Sequence, residues 1–199
     1  MKDLYFKSVA AGIAIAFGST IYLSCESKVV GAILFALGLI SVCYLNLNLY
    51  TGKIGYFSGT KDIKNLVNIL IGNIIGAGIV ALLMRVARPE LIEVAAPMVV
   101  KKIGAGWHNI ITGIFCGVIM YIAVELFKSK KTPLGILFGI PVFILSGFEH
   151  SIADACYMFY GVTSSAQVLG AVLMVVYAVI GNTIGSIVFR ALVKEYIKK

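Results

Sequence analysis

Apolar residues fill this chain in long runs, and charged residues lie mostly near the ends of those runs. Six of the runs approach the length of about 20 residues that a helix needs to cross a bilayer. We predict membrane-spanning helices at about 6–24, 29–49, 64–87, 108–127, 133–149 and 165–192. The predicted fold is an all-α membrane protein with one transmembrane domain over residues 1–199.

The second and fifth runs are less regular than the others. Each passes into a polar segment that contains glycine, NLNLYTGKIGYFSG at 46–59 and SGFEHSIAD at 146–154. Irregular backbone at membrane depth is tolerated only where protein buries it or where it lines a wet cavity. We therefore predict broken second and fifth helices and look for the functional site at the two breaks.

The third and sixth runs share a short motif, GNIIG at 72–76 and GNTIG at 181–185. Paired glycines let membrane helices approach closely, and Asn73 and Asn182 could form hydrogen bonds between helices. Because each break is second in a group of three runs, the pattern predicts a 3+3 inverted repeat with units at roughly 1–95 and 101–199. The alternative is that such glycine spacing is common in any membrane helix.

Composition agrees with a membrane protein and argues against other classes. The chain is 60% hydrophobic and 13% charged, with a mean hydropathy of +0.98, whereas soluble domains are about half apolar and a quarter charged. The net charge of +8 comes from residues at the ends of runs, so we expect no nucleic-acid partner. The four cysteines show no metal or disulfide spacing, so we expect no metal and no cofactor.

The distribution of positive residues predicts the orientation of the chain. With the N-terminus inside, twelve of the 17 Lys and Arg residues, Lys198 and Lys199 among them, fall on the inner side and five on the outer side. Positive residues concentrate in cytoplasmic loops. We therefore expect a multi-pass protein of the cell (inner) membrane with both termini in the cytoplasm.

The breaks contain the residues that could carry chemistry. A histidine ordinarily titrates near neutral pH, so His150 could donate a hydrogen bond or a proton, and an ionisable group inside a membrane is a functional hypothesis by default. Thr51 offers a hydroxyl in the other break. We expect Glu149 to anchor its break through backbone amides rather than to touch a substrate.

Several motifs resemble those of the formate/nitrite transporter family. GFEHSIAD is similar to the family signature GFEHSxAN, LYTG at 49–52 to its LFTG motif, and GIFC at 113–116 to its GILCN element. GNIIG and GNTIG resemble the family's third and sixth spans, and the resemblance extends over nearly the whole chain. It implies an aquaporin-like inverted repeat of six spans, with a pore in each protomer of a homopentamer. The implied substrates are small monovalent anions or their weak acids, such as formate, nitrite and hydrosulfide.

The resemblance also implies roles for individual residues. Thr51 and His150 would face each other at the pore centre, and a lysine at the fourth-span entrance, Lys101 or Lys102, would attract anions. The implied constriction positions are Phe35, Phe143, Leu49 and Tyr50.

Four positions depart from the family pattern. Asn48 stands where an acid is usual, and Lys53, Gly117 and Asp154 each stand where the family has asparagine. One interpretation is that Asp154 pairs with Lys53 across the two breaks, because unpaired charges there would be expensive. The other is altered selectivity, with Lys53 and Gly117 changing charge and size beside the path.

Two alternatives to an anion channel remain open. The first is a cation or ammonia-type channel, which Asp154 could suggest, although basic residues dominate the predicted pore ends. The second is an intramembrane enzyme that uses His150 with Glu149 or Asp154, although the sequence has no nucleotide or metal motif and no nucleophile with a matching base. We therefore expect a transport protein rather than an enzyme.

Overall fold

The computed structural model describes residues 2–197, which form nine α-helices and no strand. Lys198 and Lys199, which entered the count of positive residues, lie outside the described residues. A short 3₁₀ turn at Ile54–Tyr56 follows the third helix. The helices are α1 (Lys2–Ser24), α2 (Lys28–Tyr44), α3 (Tyr50–Lys53), α4 (Thr60–Ala87), α5 (Glu90–Ala105), α6 (His108–Lys130), α7 (Leu134–Leu145), α8 (Ser151–Gly161) and α9 (Ser165–Ile197).

Four of these helices, α1, α4, α6 and α9, are long and apolar enough to cross a membrane, and α2 and α7 are shorter apolar helices. Large apolar side chains cover their outward faces, including Phe17, Leu83, Phe138 and Leu169, which are all more than half exposed. Contiguous apolar surface of this kind is typical of contact with lipid or with another protein. The all-α architecture predicted from the sequence is confirmed.

The long helices pack as two close pairs, α1 with α4 and α6 with α9. A Cβ atom at Gly76 would overlap the carbonyl oxygen of Val9, and one at Gly185 would overlap that of Ile114. Because glycine has no Cβ, the two backbones of each pair can meet directly. The GNIIG and GNTIG motifs therefore lie at close backbone contacts of α4 with α1 and of α9 with α6.

Irregular backbone separates α2 from α3 and α7 from α8, at residues 45–49 and 146–150. Asn46 and Gly147 adopt positive φ angles of 51° and 70°, which turn the chain after each apolar helix. Helix α2 packs against α7. Each segment ends on a buried residue, Leu49 or His150, and both segments lie where the sequence predicts breaks.

Two arginines hold the far ends of the short segments. The Arg85 guanidinium, near the end of α4, donates to the carbonyl oxygens of Phe159 and Val162 at 2.9 and 3.0 Å. Arg190 of α9 donates to those of Gly55 and Phe57 at 3.2 and 3.1 Å. Carbonyl groups at a helix C-terminus lack partners within the helix and favour a cation. Helix α4 therefore caps the end of α8, and helix α9 caps the turn that follows α3.

Helix α5 was not among the spans predicted from the sequence. Its buried residues Leu91, Ala95 and Val99 face the rest of the protein, and α8 is its main partner. The helix carries Lys101 and Lys102 in its last turns, which places these two lysines beside the break that precedes α8.

Candidate functional site

His150 and Thr51 meet in the interior, with the imidazole Nε2 and the hydroxyl Oγ1 separated by 3.0 Å. Both residues are almost fully buried. The other ring nitrogen, Nδ1, accepts the backbone N–H of Ala153 at 3.2 Å and so caps the first turn of α8. Because Nδ1 acts as an acceptor, the proton of the neutral ring lies on Nε2 and is donated towards Thr51.

Asn73 holds the first irregular segment in place. Its side-chain oxygen accepts the backbone N–H of Tyr50 at 2.7 Å. Its amide nitrogen donates to the carbonyl oxygens of Asn48 and Ser8 at 2.8 and 2.7 Å. The side chain thus satisfies backbone groups on both sides of Leu49, as buried polar groups require.

Asn182 does the same for the second irregular segment. Its oxygen accepts the backbone N–H of Ser151 at 2.9 Å, and its nitrogen donates to the carbonyl oxygens of Glu149 and Gly113 at 2.8 and 3.0 Å. The two bonds to the segment lie on either side of His150. Asn73 and Asn182 therefore fix Leu49 and His150 in equivalent backbone settings.

Apolar side chains surround the histidine. The rings of Phe35 and Phe143 meet edge to face with centroids 6.1 Å apart, and Phe143 stacks on the His150 ring at 5.5 Å. Leu49 is buried in the same core. Tyr50 is also buried, but its hydroxyl lies 2.8 Å from that of Thr183 on α9, and it lines neither of the cavities described next.

Two cavities approach this centre from opposite ends of α6. The first, which we call the histidine cavity, measures about 350 Å³ and includes His108 at the start of α6. The second, the lysine cavity, measures about 240 Å³ and includes Lys128 and Lys131 at the end of α6. The lining residues of the histidine cavity that bear on the site are Lys101, Lys102, His108, Phe143, Glu149, His150 and Asp154. Those of the lysine cavity are Leu49, Lys53, Lys128 and Lys131.

The lysine cavity carries positive charge without a compensating acid in its lining. Lys128 lies with its ammonium nitrogen 3.3 Å from the centroid of the Tyr56 ring, a cation–π contact. Sequence analysis did not select Lys128 or Lys131, because both lie in the KSKK stretch that reads as an ordinary flank of a membrane helix.

The predicted pairing of Asp154 with Lys53 is wrong. The Asp154 carboxylate bonds the Lys102 ammonium at 3.0 Å, and Lys102 also bonds the Glu149 carboxylate. Lys53 lines the other cavity. The expected anchoring of Glu149 through backbone amides is also wrong, because its carboxylate binds Lys102 and its carbonyl group accepts from Asn182.

Two further expectations are refined by the structure. Lys102 is engaged by two carboxylates and mostly buried, whereas Lys101 is exposed at the histidine cavity. Gly117 lies at the contact of α6 with α9, where a Cβ would overlap the carbonyl oxygen of Asn182. Gly117 lines neither cavity, and its role in selectivity stays a prediction.

Comparison with known proteins finds a family match over almost the whole chain. The family model described as formate/nitrite transporter matches residues 1–196. The formate channel FocA of Haemophilus influenzae is 25% identical over 179 residues, and that of Escherichia coli K12 is 24% identical over 180 residues. Each match covers 75% of this chain and 63% of the relative. The chain therefore spans less than two thirds of the length of these relatives.

Solved structures share the fold. A structure described as a pentameric formate channel with formate bound aligns with a TM-score of 0.85 and 18% identity, covering 98% of this chain and 96% of that one. A second, described as an FNT family ion channel, aligns with a TM-score of 0.79 and 22% identity, covering 98% and 88%. At these identities the likeness concerns the fold alone.

Proposed function

Because this chain belongs to the formate/nitrite transporter family, we propose that it is a channel for small monovalent anions or their weak acids, the class of formate, nitrite and hydrosulfide. The observation that carries the proposal is the buried hydrogen bond between His150 and Thr51, which lies where two lysine-bearing cavities approach each other. The named activity of the FocA relatives supports the same substrate class.

The physical problem for such a solute is the apolar centre. Transferring a bare anion from water into low-dielectric surroundings costs many kcal/mol unless a partner compensates the charge. Phe35, Phe143 and Leu49 form the proposed constriction, and the Nε2–H of His150 is the donor aimed into it. A solute that accepts this hydrogen bond in place of Thr51 crosses the centre with part of its charge neutralised.

The lysines have a separate task in this mechanism. Positive side chains at a cavity mouth raise the local concentration of anions, an effect that salt screens. Lys101 supplies this attraction at the histidine cavity, and Lys102 contributes less because Glu149 and Asp154 already bind it. Lys53 supplies it at the lysine cavity. Tyr50 lines neither of the two cavities; its hydroxyl bonds that of Thr183 on α9 and so helps to hold the neighbouring Leu49 in place.

The proposed architecture is an aquaporin-like inverted repeat of six spans, with units at roughly 1–95 and 101–199. In this arrangement α2 with α3, and α7 with α8, are the broken second and fifth spans. The matching bonds of Asn73 and Asn182 on either side of Leu49 and His150 support the repeat. So do the equivalent close pairs, α1 with α4 and α6 with α9.

The proposed assembly is a homopentamer in the lipid bilayer of the inner membrane, with both termini in the cytoplasm. The similar structure described as pentameric supports the assembly, as do the large apolar side chains on the outward faces. The excess of Lys and Arg on the side of the termini supports the orientation.

The alternatives fare differently. The family is one of transporters, so the hypothesis of an intramembrane enzyme is rejected. A cation or ammonia-type channel conflicts with the lining of the lysine cavity, which has three lysines and no acid.

The test is flux into proteoliposomes that contain the full chain, with formate, nitrite, hydrosulfide and ammonium offered in parallel. We expect the anions to move and ammonium not to move. His150→Ala should lower anion flux by roughly tenfold or more, because it removes the donor at the centre. Phe6→Ala, which removes an exposed aromatic ring that lines neither cavity, is the control and should retain most of the flux. If His150→Ala conducts like the unmodified chain, the mechanism fails, and if ammonium alone moves, the substrate class fails.

A further inference from the structure

The histidine cavity holds two buried carboxyl groups bonded to a single ammonium group. Lys102 bonds Glu149 and Asp154, whose side chains are only 8% and 1% exposed. One ammonium compensates one carboxylate, and a second buried carboxylate without a partner is strongly destabilising. The cluster therefore has one negative charge too many, unless one carboxyl group is protonated.

The neighbouring elements supply no second cation for Asp154. On α5, Lys101 lines the cavity but forms no ion pair with either carboxylate in the described part of the chain. His150 is held as the neutral ring by its bond to Ala153, and Arg85 of α4 binds carbonyl groups at the other end of α8. The remaining ionisable groups around the cavity and the cluster, from α1, α6 and α8, are Tyr22, His108, Cys116, Cys156 and Tyr157.

One oxygen of the cluster lacks a partner. Among residues 2–197, Asp154 Oδ2 is buried and has no hydrogen-bond partner, while Oδ1 accepts from Lys102. The carboxyl groups of Glu149 and Asp154 contact the same ammonium nitrogen of Lys102, which brings them into one site. Two carboxyl groups that share one site favour a state with one proton between them. A single proton on one of the two carboxyl groups thus removes the surplus charge.

We propose that Asp154 is a proton donor for permeating anions: the Lys102–Glu149–Asp154 cluster holds one proton on its two carboxyl groups and passes it to a weak-acid anion in the histidine cavity. The inference rests on the proposed channel function and adds to it a residue, a step and a location. Asp154 lines the same cavity as His150, so an anion in this cavity has access to both groups.

The step balances as a simple proton transfer. The O–H bond of the carboxyl group breaks, a new O–H bond forms on the anion, and the electron pair of the broken bond stays on the carboxylate. The neutral acid moves on to the apolar centre, where it crosses more easily than the anion. Water in the cavity then returns a proton to the cluster and leaves a hydroxide ion in the solution on that side, so no further reactant is needed.

Infrared difference spectroscopy of the full chain in lipid vesicles tests the proton directly. At neutral pH the chain should show the carbonyl stretch of a protonated carboxyl group. That band should disappear in Asp154→Asn and also in Glu149→Gln, because each leaves one carboxylate for one ammonium. The matched control is Glu26→Gln, an exposed carboxylate, which should keep the band. A band that persists in both cluster variants, or that the unmodified chain lacks, overturns the proposal.

Flux measurements test the transfer separately from the channel function. Asp154→Asn should lower formate flux at neutral pH by roughly fivefold, the effect of one lost donor, and should weaken its response to pH. If His150→Ala abolishes flux while Asp154→Asn conducts with an unchanged pH profile, the proposal that Asp154 donates a proton is wrong. The proposed channel function is then still supported. If the unmodified chain moves no anion, the channel function itself fails, and the infrared result still decides whether the cluster holds a proton.

Discussion

Replacing Asn182 with alanine tests how the segment that carries His150 is held in place. The Asn182 side chain is fully buried and makes three hydrogen bonds, to Ser151, Glu149 and Gly113. Alanine cannot make any of them, so one backbone N–H and two carbonyl groups lose their side-chain partner. Asn182→Ala should therefore destabilise the fold and loosen the position of His150.

The magnitude follows from the number of bonds. Hydrogen bonds in membrane proteins contribute about 0.6 to 1 kcal/mol each, so three bonds give about 2 to 3 kcal/mol. For a chain of about 150 to 250 residues, each kcal/mol shifts the melting temperature by about 2 to 4 °C. We expect thermal unfolding of Asn182→Ala in detergent to occur about 4 to 12 °C below that of the unmodified chain.

A matched control comes from Asn109, another buried asparagine. Its amide donates one hydrogen bond, to the carbonyl oxygen of Lys102 at 2.8 Å, so Asn109→Ala truncates the same side chain but loses one bond instead of three. Its melting temperature should fall by about a third as much. Equal shifts for the two variants would refute the view that the hydrogen bonds of Asn182, rather than its volume, hold the break.

Two further substitutions test the cavities and the helix contacts. Lys53→Asn should lower anion flux about threefold at low salt and hardly at high salt, because screening removes long-range attraction; Lys61→Asn, away from the cavity, is the control. Equal losses at both salt concentrations would contradict an electrostatic role for Lys53. Gly185→Leu should prevent stable folding, because its side chain would overlap the Ile114 backbone, whereas Leu192→Ala on the exposed surface should not. Yield and melting temperature of purified protein measure both, and a stable Gly185→Leu would show that the α6–α9 contact is looser than described.

Much of the fold is visible in the sequence because the bilayer imposes a strong pattern on it. Long apolar runs mark α1, α4, α6 and α9, and the polar interruptions at 46–59 and 146–154 coincide with irregular backbone and short helices. That Thr51 and His150 face each other is implied by the family resemblance, whereas the residues alone indicate only that the two breaks could line a wet cavity. Their roles in permeation remain proposals.

Helix α5 illustrates what hydropathy cannot detect. Its sequence, ELIEVAAPMVVKKIGA, carries two acids, two lysines and a proline, so it does not read as a membrane span. Its burial depends on apolar residues that face α8, a long-range contact with no signature in the local sequence. For the same reason, the bonds of Lys102 to Glu149 and Asp154 could not be predicted, because they depend on where the last turn of α5 lies.

The failed pairing of Lys53 with Asp154 has a cause in the symmetry of the proposed repeat. Asn73 brackets Leu49, and Asn182 brackets His150, with the same hydrogen bonds. Lys53 lies four residues after Leu49, and Asp154 lies four residues after His150, so the two hold equivalent positions. Equivalent positions in an inverted repeat open to opposite sides, and the structure accordingly assigns Lys53 to one cavity and Asp154 to the other.

Because they lie on opposite sides, the extra base and the extra acid cannot neutralise each other. Lys53 makes the lysine cavity more attractive to anions. An ionised Asp154 would make the histidine cavity less so, since Lys102 already neutralises Glu149. A proton on the cluster removes that penalty and supplies the acid that a permeating anion requires. Asp154 is therefore compatible with an anion channel when it is protonated. An asparagine at this position could not give up such a proton, so this step of the proposed mechanism depends on the aspartate.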